Sequence, residues 1–383
     1  PGMGPMPGAE EAQAAAEAIG SGWVAQGPRV ARFERDFALR MGAAHGVAVS
    51  SCTAALHLAL VAEGIGPGDE VVVPSLSFIA TTNAVRYVGA TPVFADVDLA
   101  TGNVTTGTVA AALTPRTRAV IAVHQGGVPF DVAALRKAAE EWDVALIEDA
   151  ACAAGSTAYG QPVGAGARVA AWSFHPRKLL TCGEGGMLTL DDPVRAGRLR
   201  RLREHGMDAS AADRHASTQP VLESYLEVGF NYRMTDIQAA IGLVQLDRLA
   251  GLVAQRRAQA ARYHELLAEV PGLVAVRDPA YGQTNYQSFW VLLPPDSRAS
   301  RNEVLAGLAA EGISARRGIM AAHLEPAYAD VAARPLPVTE RLTRDSLILP
   351  LHHRLSTDDQ ERVVAILRRL VTGGRRGAGT APG

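Results

Sequence analysis

The sequence predicts an α/β protein built on a mostly parallel sheet with helices on both faces. From about residue 46, short apolar runs alternate with segments whose apolar residues recur at helical spacing. The runs are rich in apolar residues, as strands covered on both faces need to be. Polar residues gather just past them: Ser51 and Thr53, His124, Asp149, and Ser173 through Lys178. In open sheets of this kind ligands bind beyond the carboxyl ends of the strands.

Two surface helices come first, in "GAEEAQAAAEAI" and "ARFERDFALRMG". Strand "GVAVSS" then leads into helix "TAALHLALVAEG". Small hydroxyl residues precede that helix, so its free N–H groups and dipole suit a phosphate; a plain N-cap is the alternative. "EVVVPS", "FIATTNAVRYVG" and "TPVFADV" read as strand, helix and strand. "TRAVIAVH", "DVAALRKAAEEW" and "VALIEDA" repeat the pattern, and "VAAWSF" and "GGMLTL" complete it. "PVRAGRLRRLREHG" is helical, whereas residues 207–228 are irregular and polar, a flap or long loop. The stretch "MTDIQAAIGLVQLDRLAGLVAQRRAQAARYHELLAEV" is one long helical pattern. "YQSFWVLL", "RNEVLAGLAAEGI", "LILPLHH" and "TDDQERVVAILRRLV" describe a smaller α+β unit. The expected organisation is a large domain over 1–250, a small C-terminal domain over 251–372 and a disordered tail over 373–383.

Composition narrows the function. The 383 residues are 48% hydrophobic and 20% charged, with a formal net charge of −2. Near-neutral charge with interleaved signs argues against a nucleic-acid partner. No run approaches the roughly 18 unbroken apolar residues of a membrane helix. "PGMGPMPGAEEA" lacks the basic start and apolar block of a secretion signal. Three widely spaced cysteines, 52, 152 and 182, form neither a disulfide framework nor a CxxC knuckle, which points to a reducing cytoplasm and no metal.

Lysine usage is the sharpest signal. Of 37 basic residues only Lys137 and Lys178 are lysines. Arginine supplies charge but cannot act as an amine nucleophile near neutral pH. Asp149 ends an apolar strand, where a carboxylate grips a ribose hydroxyl, a metal or a protonated ring nitrogen, or simply caps a loop. A phosphate cradle, a carboxylate and a scarce lysine at one sheet edge suit pyridoxal 5′-phosphate (PLP). That cofactor needs an anion site, a partner for its pyridine nitrogen and a lysine for its aldehyde.

Six motifs then carry a resemblance: "SSCTAALHLAL", "DEVVVPSLSFIATTNAV", "GATPVFADVD", "LIEDAACAAG", "SFHPRKLLTCGEGGM" and "GFNYRMTDIQAAIGLVQL". Over about residues 15–368 the chain resembles the DegT/DnrJ/EryC1/StrS family of PLP-dependent sugar aminotransferases. The resemblance implies the aspartate-aminotransferase-like fold of type I PLP transferases. Matched position by position, it implies Lys178 as the Schiff-base lysine and Asp149 as the partner of the pyridine nitrogen. It also implies Phe78 stacked on the cofactor, phosphate contacts from Thr53, the Ala54 backbone and Ser173, and Asn231 reaching the phosphate of a neighbouring subunit. A homodimer with shared sites follows, as does pyridoxamine phosphate as the intermediate cofactor form.

Two positions depart from the family pattern. Cys52 stands where Gly or Ala is usual, and Cys152, a cofactor-flanking position, where Gln or His is usual. All three cysteines could surround the pocket, as metal ligands or as small packing residues. His175 could orient substrate or cap its loop, and His124 could be structural or serve the site. His323 matches a histidine near the sugar, and Arg233 suits an anion or an interface ion pair. Glu184 reads as a loop residue. The implied function is amino transfer, with L-glutamate as donor, to a keto-sugar, nucleotide-linked in the members that share "SFHxxKxxTxGEGG". The rivals are an aminotransferase or dehydratase acting on a carbocycle, and a non-catalytic nucleotide-binding regulator. Family dehydratases carry histidine in place of the lysine, so Lys178 argues against that branch. No GxGxxG turn follows a strand, which sets a nicotinamide enzyme aside.

Overall fold

The computed structural model describes residues 7–209, 222–331 and 334–373. The expected tail, residue 373 apart, and the middle of the 207–228 loop lie outside the described residues. Helices α1 (Ala9–Gly20) and α2 (Pro28–Arg40) precede β1 (His45–Val49), α3 (Cys52–Ala62), β2 (Glu70–Pro74) and α4 (Ile79–Tyr87). Then come β3 (Thr91–Ala95), α5 (Thr106–Ala110), β4 (Thr117–Val123), α6 (Val132–Glu141) and β5 (Ala145–Asp149). Short β6 (Thr157–Ala158) and β7 (Gln161–Pro162) lead to β8 (Ala170–Ser173), β9 (Gly186–Leu190) and α7 (Pro193–Leu202).

Among the described residues the main sheet has the order β1-β9-β8-β5-β4-β2-β3. It is parallel except at β9, which runs against both its neighbours. Residues 71–73 show why these segments are strands. All three are valines, stiff at χ1 and fully buried. Val71 and Val73 face one core and Val72 the other, so the run is apolar without alternation. Each such valine contributes roughly 1.5–3 kcal/mol by leaving water. The topology brings the ends of β1, β4, β5 and β8, and the start of β9, to one edge.

The long helix α8 (Asp236–Leu267) begins at a capping box of Thr235 and Gln238. Its buried Asp236 accepts the N–H groups of Arg29 and Val30, which locks the start of α2 to it. By length and mean hydropathy α8 is long and apolar enough to cross a membrane. Here it packs against α1 and α2. It also continues through residue 250 without a break. Beyond it lie β10 (Val274–Ala275), β11 (Gly282–Gln283), β12 (Phe289–Leu292), β13 (Arg316–Arg317) and β14 (Ser346–Leu349). Four of them form an antiparallel sheet, β10-β12-β14-β13, while β11 pairs with β6. The two-residue strands β6, β7, β10, β11 and β13 escape a sequence reading because two residues carry no period.

Candidate active site

Asp149 closes β5 and is 5% exposed, with Val123 and Ala171 in register beside it. Its carboxylate accepts from Thr81 Oγ1 at 2.8 Å and from the Ala151 N–H at 3.1 Å. Burial pushes the carboxyl above its ordinary value, against the pull of those donors and of the Lys178 charge. A protonated ring nitrogen would offset that lost hydration.

Lys178 comes from the loop after β8. Its Nζ lies 3.1 Å from Cys152 Sγ. Burial opposes its charge, but the neighbouring Cys152 and Asp149 outweigh burial and hold the ammonium above its ordinary value. The loop is clamped from the far end of the chain. Gln287 Oε1 accepts from the Leu179 N–H at 2.8 Å, and its Nε2 donates to the Arg177 carbonyl at 2.7 Å. Asn285 holds the neighbouring loop after β5, its Nδ2 donating to the carbonyls of Cys152 and Ala154. Sequence reasoning missed Gln287 and Asn285, because separations of 108 and 133 residues leave no local signal.

Phe78 is the N-cap residue of α4 and is 68% exposed. One turn on, Thr81 ties α4 to Asp149, so the phenyl ring is held near the carboxylate. Thr81 was also missed, although its position three residues after Phe78 puts both on one helix face. An exposed flat ring beside a buried carboxylate offers a stacking surface.

At α3, Ser51 Oγ accepts the Ala54 N–H at 3.1 Å. The Ala54 amide is thus engaged in the N-cap that was the alternative to phosphate binding. Helix geometry still leaves the Cys52 and Thr53 amides without intrahelical acceptors. Half-buried Ser173 pairs in register with Gly186. A Cβ on Gly186 would lie 2.4 Å from the Ser51 carbonyl carbon. Only glycine lets β9 meet the start of α3 this closely.

Asn231 is exposed, on a segment whose backbone bridges Glu204 and, through half-buried Arg233, Val49. His124 is fully buried and stacked on Phe130 at 4.2 Å. Its Nδ1 accepts the Phe130 N–H, so Nε2 bears the proton toward Glu148 Oε2, 3.2 Å away. Arg136 completes that ion network, which faces away from Asp149 because neighbours on a strand alternate. His175 accepts the Arg177 N–H at 3.1 Å, a loop cap, and stands 3.9 Å from Glu184 Oε1. His323 Nδ1 lies 2.6 Å from Ser75 Oγ at the end of β2, and its buried Nε2 has no hydrogen-bond partner.

The cysteines separate. Cys52 and Cys152 adjoin Lys178, and burial first, then Asp149, raises the Cys52 thiol well above its ordinary value. Cys182 is instead buried in a core with Phe33, Phe174 and Met234. The expectation of three cysteines around the pocket is corrected accordingly: the apolar core draws Cys182 away. Among the described residues no group of three or more His, Cys, Asp or Glu could hold a metal.

The donor set fits PLP. A desolvated carboxylate, a buried amine, an exposed phenyl ring and a helix N-terminus meet at one sheet edge. The residues that could hold the cofactor are Lys178, Asp149, Phe78, Thr53, Ser173 and Cys152.

Known proteins carry the same frame. The DegT/DnrJ/EryC1/StrS aminotransferase family matches residues 5–368. The aminotransferase TlmJ from Streptoalloteichus hindustanus is 39% identical, with a TM-score of 0.87 over 95% of this chain and 96% of its own. DesI, solved in the presence of its TDP-sugar product, is 36% identical, with a TM-score of 0.84 over 94% and 89%. Spr1654 from Streptococcus pneumoniae, solved in PLP and PMP forms, is 27% identical over 96% and 97%, with TM-scores of 0.88 and 0.89. The chain belongs to the DegT/DnrJ/EryC1/StrS family and is a PLP-dependent aminotransferase.

Proposed function

We propose that this enzyme transfers an amino group from L-glutamate to the ketone of a nucleotide-linked keto-sugar, in amino-sugar biosynthesis, as a homodimer with shared sites. The observation that carries the substrate class is the likeness to DesI, solved in the presence of its TDP-sugar product, along nearly the whole chain. Bound PLP supplies an aldehyde that exchanges amines and a pyridinium ring that draws electrons from the α-carbon. Lys178 is the residue that would hold the aldehyde as an imine, and its Nζ, when free, would be the base within reach of the donor's α-proton. Asp149 would keep the pyridine nitrogen protonated, and the exposed Phe78 ring would offer a stacking surface. The α3 N-terminus, Thr53 and Ser173 would hold the phosphate, with Asn231 of the opposite subunit completing the cradle. His323, Arg233 and the half-exposed His175 face the second substrate.

Product mass spectrometry tests the substrate class. The holoenzyme is given glutamate with nucleotide-linked keto-sugars, the unlinked sugars and a keto-inositol. Exchange of ketone oxygen for amine is expected with a nucleotide-linked sugar. Amination of the carbocycle alone would replace the proposal with its carbocyclic rival.

A further inference from the structure

Among the described residues, three arginines near this site, Arg177, Arg233 and Arg316, have guanidinium groups with neither a carboxylate partner nor a hydrogen-bond acceptor, and of the three only Arg316 has a buried, unpartnered Nε. Arg177 directly precedes Lys178. Arg316 lies on β13, opposite Ile348 of β14, which itself opposes Trp290 of β12. Directly opposed residues share a sheet face. Trp290 on that face meets the main domain, where a Cβ on Gly126 would lie 3.7 Å from its ring and Leu76 lines the same cavity.

Past Arg316 the chain runs along the mouth of the site. Ala321 bridges Leu76, two residues before Phe78, and His323 reaches Ser75. At the other end, the Arg177 carbonyl accepts from Gln287 Nε2, two residues before β12 begins, so the Lys178 loop meets the small sheet at the end where Trp290, Ile348 and Arg316 lie in register. Burial and then the Arg177 charge lower the Arg316 guanidinium from its ordinary value. Segment 316–323 thus spans the opening from the Lys178 loop to the Phe78 turn. A solvated pair of arginines would keep its nitrogens in water. These two repel one another with one nitrogen dehydrated, a cost that an anion between them removes.

We infer that Arg316 and Arg177 bind an oxyanion of the substrate at the mouth of the Lys178 site. This rests on the proposed substrates, whose anions are the donor's carboxylate and the acceptor's phosphate groups. Both substrates use one site in turn, and a guanidinium fork accepts either oxyanion in bidentate fashion.

The test compares wild-type holoenzyme with Arg177→Gln, Arg316→Gln and Arg316→Lys. Borohydride fixation of the cofactor to the Lys178 peptide checks the underlying reading separately, since Lys137 is the only other lysine. Glutarate and inorganic pyrophosphate serve as probes, titrated by calorimetry. Each half-reaction is followed by stopped-flow absorbance. At least one probe should bind roughly 10–100-fold more weakly in Arg316→Gln, as for loss of a charged hydrogen bond. The KM of the matching half-reaction should rise with its limiting rate kept. Arg316→Lys should restore only part of the loss, because it lacks the fork. An effect on glutarate and the glutamate half-reaction assigns the carboxylate; an effect on pyrophosphate and the acceptor half-reaction assigns the phosphate. If both probes and both KM values are unchanged in Arg177→Gln and Arg316→Gln, the inference is wrong. Should Arg316→Gln not fold, exposed Arg177 decides by itself.

Discussion

Asp149 loses most of its water on folding, and Thr81 Oγ1 and the Ala151 amide replace only part of it. The carboxyl is pushed up as a result. A cationic ring nitrogen against it would reverse that shift, because an opposite charge favours the ionised form. In Asp149→Asn the charge is gone but the donor geometry at Thr81 largely remains. The glutamate half-reaction should therefore slow by at least about a hundredfold, about 2.7 kcal/mol of barrier. Cofactor affinity, which the phosphate cradle dominates, should change far less. Stopped-flow absorbance and a cofactor titration read the two effects apart. A near-normal half-reaction rate would remove Asp149 from the chemistry.

The junction between α3 and β9 carries the matching argument for whole elements. Gly186 opens β9 with the Ser51 and Cys52 backbone pressed against it, at 2.4–2.6 Å from where a Cβ would sit. Those neighbours are main-chain atoms of a helix start and cannot rotate aside. Gly186→Ala should therefore push α3 outward and cost about 1–3 kcal/mol of stability, the usual penalty of overpacking. The amides at Cys52 and Thr53 move with the helix, so the dissociation constant for PLP should rise together with the loss in melting temperature. Thermal unfolding of the apoenzyme and a PLP titration measure both. A variant as stable and as tight-binding as wild type would separate this junction from the phosphate site.

At the scale of the molecule, the segment before Asn231 exposes Leu222, Tyr225, Leu226 and Val228. Such a patch suits a second subunit, and the proposed dimer would cover it. Two inactive chains then provide the test. Lys178→Ala lacks the amine but keeps Asn231, whereas Asn231→Asp keeps the amine and repels the cofactor phosphate across the interface. In a mixed dimer one site carries both lesions and the other neither, as isologous symmetry requires. Up to about half of the normal activity per mixed dimer should return after subunit exchange, measured by amination turnover. No recovery with exchange proven would place both residues in the same chain's site.

The order of the main elements was readable before any coordinates because apolar periodicity is local: Val71 to Val73 announce a doubly covered strand, and α8 announces itself over 32 residues. The scarce Lys178 and the strand-end Asp149 were readable for a similar reason, since each stands out within its own few residues. Where Cys182 went was decided by packing, which buries it with aromatic rings from α2 and the end of β8. His124, also strand-terminal, turned to the opposite face, where Glu148 and Phe130 fix its proton. Gln287 and Asn285 come from the far end of the chain, and only the tertiary fold brings Gln287 to the Lys178 loop and Asn285 to the loop after β5. The sequence by itself determined the elements, the cofactor chemistry and the sheet edge, because those depend on neighbours along the chain. Only the tertiary structure decided what clamps the lysine loop and which charges stand unpaired at its mouth, because those contacts form between segments more than a hundred residues apart.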